Sequence, residues 1–266
     1  MLKLKDEDLL ALRAWMAQAL GMEGEIYRPA FLARRLWSRM RATGTPDVPS
    51  YLALIRGEPA EALTLASKFL VPTTEFFRNP EVFHALGREL VARTSRPGWA
   101  TLRAVCAPCS TGEEAVSLAI LMSELGLRGH IVALDRSRGS LSALRTGFWP
   151  RRSTEKVDLR RRARYFRGEG ETSRITEDIA ARIQPVCCDL GGGIPADGVH
   201  LVMMRNFFIY LTESAQGRLL HEAARALVPG GLLVLGRVEI LPRAALGPWA
   251  LVERDARIYE RTGGAG

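Results

Sequence analysis

Residues 103–124 read RAVCAPCSTGEEAVSLAILMSE. A short apolar run, 102–106, passes through a turn of Pro108 and small residues, then continues with apolar side chains at Val116, Ile120 and Leu121, a helical spacing. The stretch is a strand, a tight loop and a helix. In open α/β sheets ligands sit beyond the carboxyl ends of the strands, where loop amides and a helix N-terminus approach them. Ser110, Thr111 and Gly112 are small enough to allow that approach. The loop lacks a G-x-G-x-x-G fingerprint, and Glu113 and Glu114 place negative charge where a pyrophosphate needs positive potential. A cationic or zwitterionic nucleoside fits it better than a dinucleotide.

Two later pieces agree. Residues 130–135 form a second apolar run ending in an acid 23 residues after Gly112, a distance at which a carboxylate accepts ribose hydroxyls. Asp135 is the expected ribose anchor. Residues 219–227 read as a helix, Pro229, Gly230 and Gly231 as a turn, and 232–235 as a strand. The order resembles the α/β, Rossmann-like class I S-adenosylmethionine-dependent methyltransferase sheet; a Rossmann-like domain holding another nucleotide is the other reading.

At 266 residues the chain can bury a full core. Its 37 basic and 29 acidic residues give +8, favouring an acidic partner without choosing between nucleic acid and protein. Only Lys3, Lys5, Lys68 and Lys156 are lysines; the other bases are Arg, suited to bidentate carboxylate contacts. The N-terminus has no apolar segment of signal-peptide or membrane-span length, so a cytoplasmic protein is expected. Cys106, Cys109, Cys187 and Cys188 are too few for a disulfide framework, and three of the four fall in apolar surroundings, so no metal is expected.

The first hundred residues read as helical. Leu9, Leu12, Met16 and Leu20 share a face of a first helix ended by Gly21; a second, over 26–42, buries Phe31, Leu36 and Met40 and sets Arg28, Arg35 and Arg39 opposite. That basic face is either plain solvation or a docking surface for an acidic helical partner. Shorter helices are expected over 51–55 and 59–69. Then two rings and an Arg interrupt the helical pattern in LVPTTEFFRNPEVFHAL, a loop with too little apolar surface for core and too much for a linker. Thr73 or Thr74 is a candidate cap, and Pro80 starts the next helix.

Four motifs resemble the CheR family, the chemoreceptor glutamate methyltransferases of bacterial chemotaxis. TTEFFRNPEVF (73–83) is similar to its T-x-F-F-R motif and CSTGEEAVSLA (109–119) to its C-S-T-G-E-E-P-Y-S-L-A loop. MRNFFIYL (204–211) resembles C-R-N-V-L-I-Y-F, and LVPGGLLVLGRVE (227–239) resembles L-x-P-G-G-x-L-x-x-G-H-S-E. The resemblance implies an N-terminal helical domain with a receptor-docking face (1–92), an S-adenosylmethionine-binding methyltransferase domain (93–266) and an inserted β-subdomain (151–185). In some members that insert binds a pentapeptide tether of the receptor. RGEGETSRI (167–175) looks about three residues shorter than the tether-binding form, so a tether-independent enzyme is expected. For the insert's arginines, among them Arg151, Arg152 and the run Arg160 to Arg164, the alternative is nucleic-acid binding, against which the thin aromatic interleaving argues.

The implied reaction is methyl esterification of glutamate side chains on a chemoreceptor's cytoplasmic domain, with S-adenosylhomocysteine as second product. Methyl transfer from a sulfonium to a carboxylate is an in-line displacement, and the nucleophile is already an anion at neutral pH, so alignment and water exclusion matter more than a general base. By resemblance Thr74 and Arg78 border the cofactor, Glu113 pairs with its amino group, Asp135 with its ribose, and Asp189 and Leu190 lie near the adenine. Arg205 and Asn206 line the methionine moiety and the entering glutamate, and Tyr210 positions the substrate carboxylate; Arg78, Arg205 and Tyr210 are the expected catalytic set. The chain departs from the family pattern at Pro72, Val116, Asp189, Arg237 and Val238. A diverged module that only binds cofactor or receptor therefore stays open, as does a nucleic-acid methyltransferase using Pro108-Cys109. No nucleic-acid partner, no membrane insertion and a monomer are expected, since nothing long, apolar and exposed demands a dimer.

Overall fold

A computed structural model describes residues 4–69 and 74–263. Contacts divide them into two compact units: the residues up to 69 with Tyr210–Gln216, and residues 74–209 with 217–263. No helix among the described residues is long and apolar enough to cross a membrane.

The first unit holds α1 (Asp6–Leu20), α2 (Pro29–Thr43), α3 (Val48–Gly57) and α4 (Pro59–Phe69). Left-handed Gly21 and Gly44 stop α1 and α2, and the Asp47 side chain caps α3 by accepting from Ser50 N–H. Leu12, Met16, Leu32, Leu36, Tyr51 and Leu65 form its core. Residues 26–28 pair with 210–212: Arg28 N–H donates to Tyr210 O and Thr212 N–H to Ile26 O, each at 2.8 Å. The expected basic face is largely consumed inside the unit. Arg39 forks onto Glu61 at 2.9 and 2.6 Å, Arg28 Nε donates to Leu211 O at 2.7 Å, and Arg35 lies over the Phe31 ring. Arg28 and Arg39 thus clamp the unit, although Arg28 keeps exposed surface.

The second unit runs α5 (Pro80–Arg93), β1 (Leu102–Cys106), α6 (Glu113–Glu124), β2 (Gly129–Asp135), α7 (Ser142–Thr146), β3 (Phe148–Pro150), α8 (Leu159–Tyr165), β4 (Phe166–Glu169), β5 (Thr172–Ile175), α9 (Glu177–Ala180), β6 (Ile183–Cys187), β7 (Val199–Met204), α10 (Glu213–Ala226, its first residues in the helical unit), β8 (Leu227–Leu235), β9 (Trp249–Glu253) and β10 (Ile258–Arg261). The main sheet has the order β6-β2-β1-β7-β8-β10-β9. β6, β2, β1, β7 and β8 are parallel and β10 antiparallel. The chain runs outward from β1 through β2 to β6 and returns to β7 on the other side of β1. That reversal opens a crevice at the carboxyl ends of β1 and β7.

Three expectations are corrected. The helical unit ends well before 92: Val82, Phe83, Leu86 and Leu90 place the apolar face of α5 in the sheet's core. The insert's sheet, β3-β5-β4, starts at Phe148 rather than 151. The tail, where the alternating apolar and polar residues from Leu251 to Arg261 read as one last strand, holds two, because the turn 254–257, with Arg257 at φ 52°, folds β10 back between β8 and β9. Phe76 and Phe77, expected outside the core, are buried in it: Phe76 meets Trp149 and Phe166 edge-on, Phe77 meets Phe83.

Candidate active site

The loop after β1 is stitched to both neighbouring strands. Ala107 N–H donates to Met203 O at 2.9 Å and Cys109 N–H to Leu134 O at 2.8 Å. Ser110 and Gly112 both take positive φ, and a Cβ at Gly112 would lie 2.1 Å from Leu144 Cγ, so only glycine fits there. Asp135, at the end of β2, accepts Ser110 N–H on Oδ2 and Ser137 N–H on Oδ1, both at 2.8 Å. Burial pushes its carboxyl up, and those two bonds hold it back. An ionised carboxylate offers about four acceptor sites, so two remain for a diol. On the loop's far side, Thr111 O accepts Trp149 Nε1–H at 3.0 Å, fixing the insert to the loop.

The first turn of α6 carries two acids, favoured by its dipole. Buried Glu113 accepts Thr111 Oγ1–H at 2.6 Å and a hydrogen bond from Thr74, while burial raises its carboxyl. Glu113 O accepts Ser117 Oγ–H at 2.6 Å, and the same Oγ accepts Phe77 N–H at 2.8 Å, which fastens the TTEFFR segment to the helix.

At the end of β7, Arg205 has no exposed side-chain surface. It donates to Glu114 Oε2 at 2.9 Å, to the Arg78 carbonyl at 2.9 Å and to Asn79 Oδ1 at 3.1 Å. Buried behind these partners, Arg205 holds the half-buried Arg78 in place instead of presenting its own guanidinium. Asn206 follows at φ 61°. A residue the sequence reading left without a role enforces that turn: Glu239, 2% exposed, accepts Asn206 N–H (2.9 Å) and Gly236 N–H (2.6 Å) on Oε2 and Ile209 N–H (3.3 Å) on Oε1. Its only sequence signal was an acid closing an otherwise apolar motif.

Asp189 follows β6. Its Oδ1 accepts Gly191 N–H at 3.0 Å and its Oδ2 lies 3.4 Å from Arg136 Nε, so its extra charge is paired. Leu190 beside it is buried. Thr74, Glu113, Asp135, Asp189, Leu190, Arg205 and Asn206 thus gather at one edge of the main sheet. Tyr210 falls in the helical unit, its ring 4.7 Å from Phe31. Pro72 and Thr73 lie outside the described residues. Arg237 pairs with Glu81 at 2.7 Å. Of the cysteines only Cys106 and Cys109 are buried, correcting the count of three, because β6 ends at an open edge.

The donor set matches the polar groups of an S-adenosyl nucleoside. An acid with two free acceptor sites suits a ribose diol, and a second buried acid suits an ammonium group. Small residues in left-handed conformation let backbone approach between them. The residues present fit.

This sheet order, with two buried acids at its switch point, is that of a Rossmann-like methyltransferase. The chain belongs to the CheR methyltransferase family: residues 72–249 match its S-adenosylmethionine-binding domain and residues 7–70 its all-alpha domain. It is 31% identical over 240 residues to an uncharacterized 104.1 kDa protein in the hypE 3' region of Rhodobacter capsulatus, covering 85% of this chain and 25% of that one. It is 29% identical over 230 residues to the probable biofilm formation methyltransferase WspC of Pseudomonas aeruginosa (83% and 54%). It is 25% identical over 236 residues to a chemotaxis protein methyltransferase of Listeria innocua (88% and 90%). The chain spans from a quarter to little more than half the length of the first two relatives.

Proposed function

We propose that the protein methylates glutamate carboxylates on the cytoplasmic domain of a chemoreceptor-type signalling protein, without a pentapeptide tether. The observation that carries the reading is the pair of buried acids, Glu113 and Asp135, flanking the Ser110–Gly112 backbone. Asp135 would hold the cofactor's ribose and Glu113, with Thr74, its ammonium group; Asp189 and Leu190 would border the adenine and Asn206 the methionine moiety. Bound S-adenosylmethionine supplies an electrophilic methyl group on a sulfonium.

The chain's own work is alignment. Arg78 would receive the substrate carboxylate and fix its orientation. Arg205 acts as a positioning residue by pinning the Arg78 carbonyl. The acceptor glutamate is ionised at neutral pH and needs no base.

Calorimetry with S-adenosylhomocysteine tests the cofactor half, with Asp135→Ala as control. Tritiated methyl transfer to receptor cytoplasmic fragments tests the other half; a glutamyl ester releases its label as methanol in alkali, whereas an N-methyl product keeps it. Absence of cofactor binding, or an alkali-stable label, overturns the proposal.

A further inference from the structure

Between Arg145 and Gly168 the sequence has nine basic and two acidic residues, so this stretch alone contributes +7 of the chain's +8. The structure folds it around α8. Arg161 is its inward arginine: it grips Glu124 at 2.9 and 2.7 Å and lies 4.1 Å above the Phe77 ring. Asp158 caps the helix by accepting Arg160 N–H and Arg161 N–H, each at 3.1 Å, and Arg167 donates to the Ala163 carbonyl at 3.1 Å near its other end. With Arg161 and buried Tyr165 facing in, one turn apart, the opposite ridge is Leu159 and Ala163. Leu159 is 73% exposed. The exposed pair Arg160 and Arg164 flanks this ridge on one side and half-buried Arg162 on the other.

We propose that the outer face of α8 is a docking surface for an acidic amphipathic helix of the methyl-accepting protein, an inference that rests on the methyl-transfer reading above. Charge complementarity selects this occupant. Arg160 and Arg164, four residues apart, match carboxylates spaced by one turn on a partner helix, each able to form a bidentate pair. Leu159 and Ala163 take one apolar side chain between them. At seven residues, about 10 Å, α8 meets roughly two turns of such a partner. The rings of Trp149, Tyr165 and Phe166 are buried and Phe148 is half-buried under Arg174, so the insert offers no row of open rings on which single-stranded nucleic acid could stack.

The test is fluorescence anisotropy with the whole chain and a labelled synthetic helix bearing Glu at i and i+4 beside a leucine seam. A Lys-for-Glu version of that helix, an oligothymidylate and vesicles of phosphatidylcholine with phosphatidylserine serve as comparison probes. The acidic helix binds, weakens as salt rises from about 50 to 200 mM, and loses about tenfold in affinity in Arg160→Glu/Arg164→Glu. Leu159→Ser weakens it without changing the salt slope. Circular dichroism and S-adenosylhomocysteine affinity stay unchanged in both variants. Equal binding of the helix by the charge-reversed variant, or tighter binding of oligothymidylate or vesicles through the same arginines, overturns the assignment. S-adenosylhomocysteine titration of the unsubstituted chain separates the two proposals: its failure sinks methyl transfer, whereas failure of the helix alone sinks only this surface.

Discussion

Arg205 and Glu114 stand 91 residues apart in sequence and form an ion pair of 2.9 Å in which the guanidinium side chain has no exposed surface. Burial raises the Glu114 carboxyl, and the neighbouring arginine, with its hydrogen bond, opposes that shift. Removing one partner strands a buried charge, so Arg205→Met and Glu114→Gln should each cost about 3–5 kcal/mol in urea denaturation. The double variant Arg205→Met/Glu114→Leu should recover much of that loss. Single-variant losses below about 1 kcal/mol would sink the pair's structural role.

Asp135→Asn keeps the side-chain volume but gives up the charge and one acceptor. A hydrogen bond to a charged group contributes about 1.5–3 kcal/mol, so S-adenosylhomocysteine affinity should fall about 10- to 100-fold by calorimetry. The variant amide also faces Ser110 N–H or Ser137 N–H with a donor, so a lower Tm is expected alongside.

Glu113 carries a carboxyl raised by burial in the free protein. An incoming ammonium group stabilises the ionised form and brings that value down. Binding should therefore release a proton at pH values between the two, and affinity should decline as pH falls through the raised one. Titrations in two buffers of different ionisation enthalpy measure the release. Persistence of the release in Glu113→Gln would assign it elsewhere.

His200 is buried with Nδ1 accepting Arg103 N–H at 3.1 Å and Nε2–H directed at Gly98 O at 3.0 Å, a neutral ring whose basicity burial depresses first and nearby Arg103 second. A depressed folded-state value means the unfolded chain binds the extra proton more readily. The stabilisation is thus complete above about pH 6.5 and drains away as pH falls below it. The Tm difference between wild type and His200→Gln should shrink from pH 7.5 to pH 5.5. The buried acids Glu113, Glu114, Asp135 and Glu239 are all raised and act in the opposite sense, so the difference between the two proteins is the informative quantity.

Gly236 adjoins Glu239 so closely that a Cβ would come within 2.6 Å of Oε2 and 2.9 Å of Asn206 N. Gly236→Ala must break the carboxylate's bonds at the ends of β7 and β8. A stability loss of about 1–3 kcal/mol by denaturant melt is expected, together with a lower kcat in methyl transfer.

Legibility in the sequence followed the range of the interactions. The β1-loop-α6 stretch and the strand ending at Asp135 are local patterns, and both stand where periodicity and small residues put them. Arg205 with Glu114, and Glu239 with Asn206, are long-range pairs among polar residues that carry no periodicity, so their burial was invisible. Phe76 and Phe77 lie in a segment without helical or strand spacing, yet Trp149, Phe166 and Phe83 supply their packing from elsewhere in the chain. The ion pair of Arg39 on α2 was not legible because the acid that neutralises it stands on α4.

The helical unit is finished by a segment that arrives late: Arg28 bonds to Leu211 across 183 positions. On the ribosome, its four helices emerge first and wait for most of the sheet to be made before their last neighbour appears. Nor can the unit be lifted out by one cut near residue 70, since such a fragment leaves Tyr27 and Arg28 without the segment they pair with and Phe31 without the Tyr210 ring. For gene fusion and domain shuffling alike, the two modules travel as one.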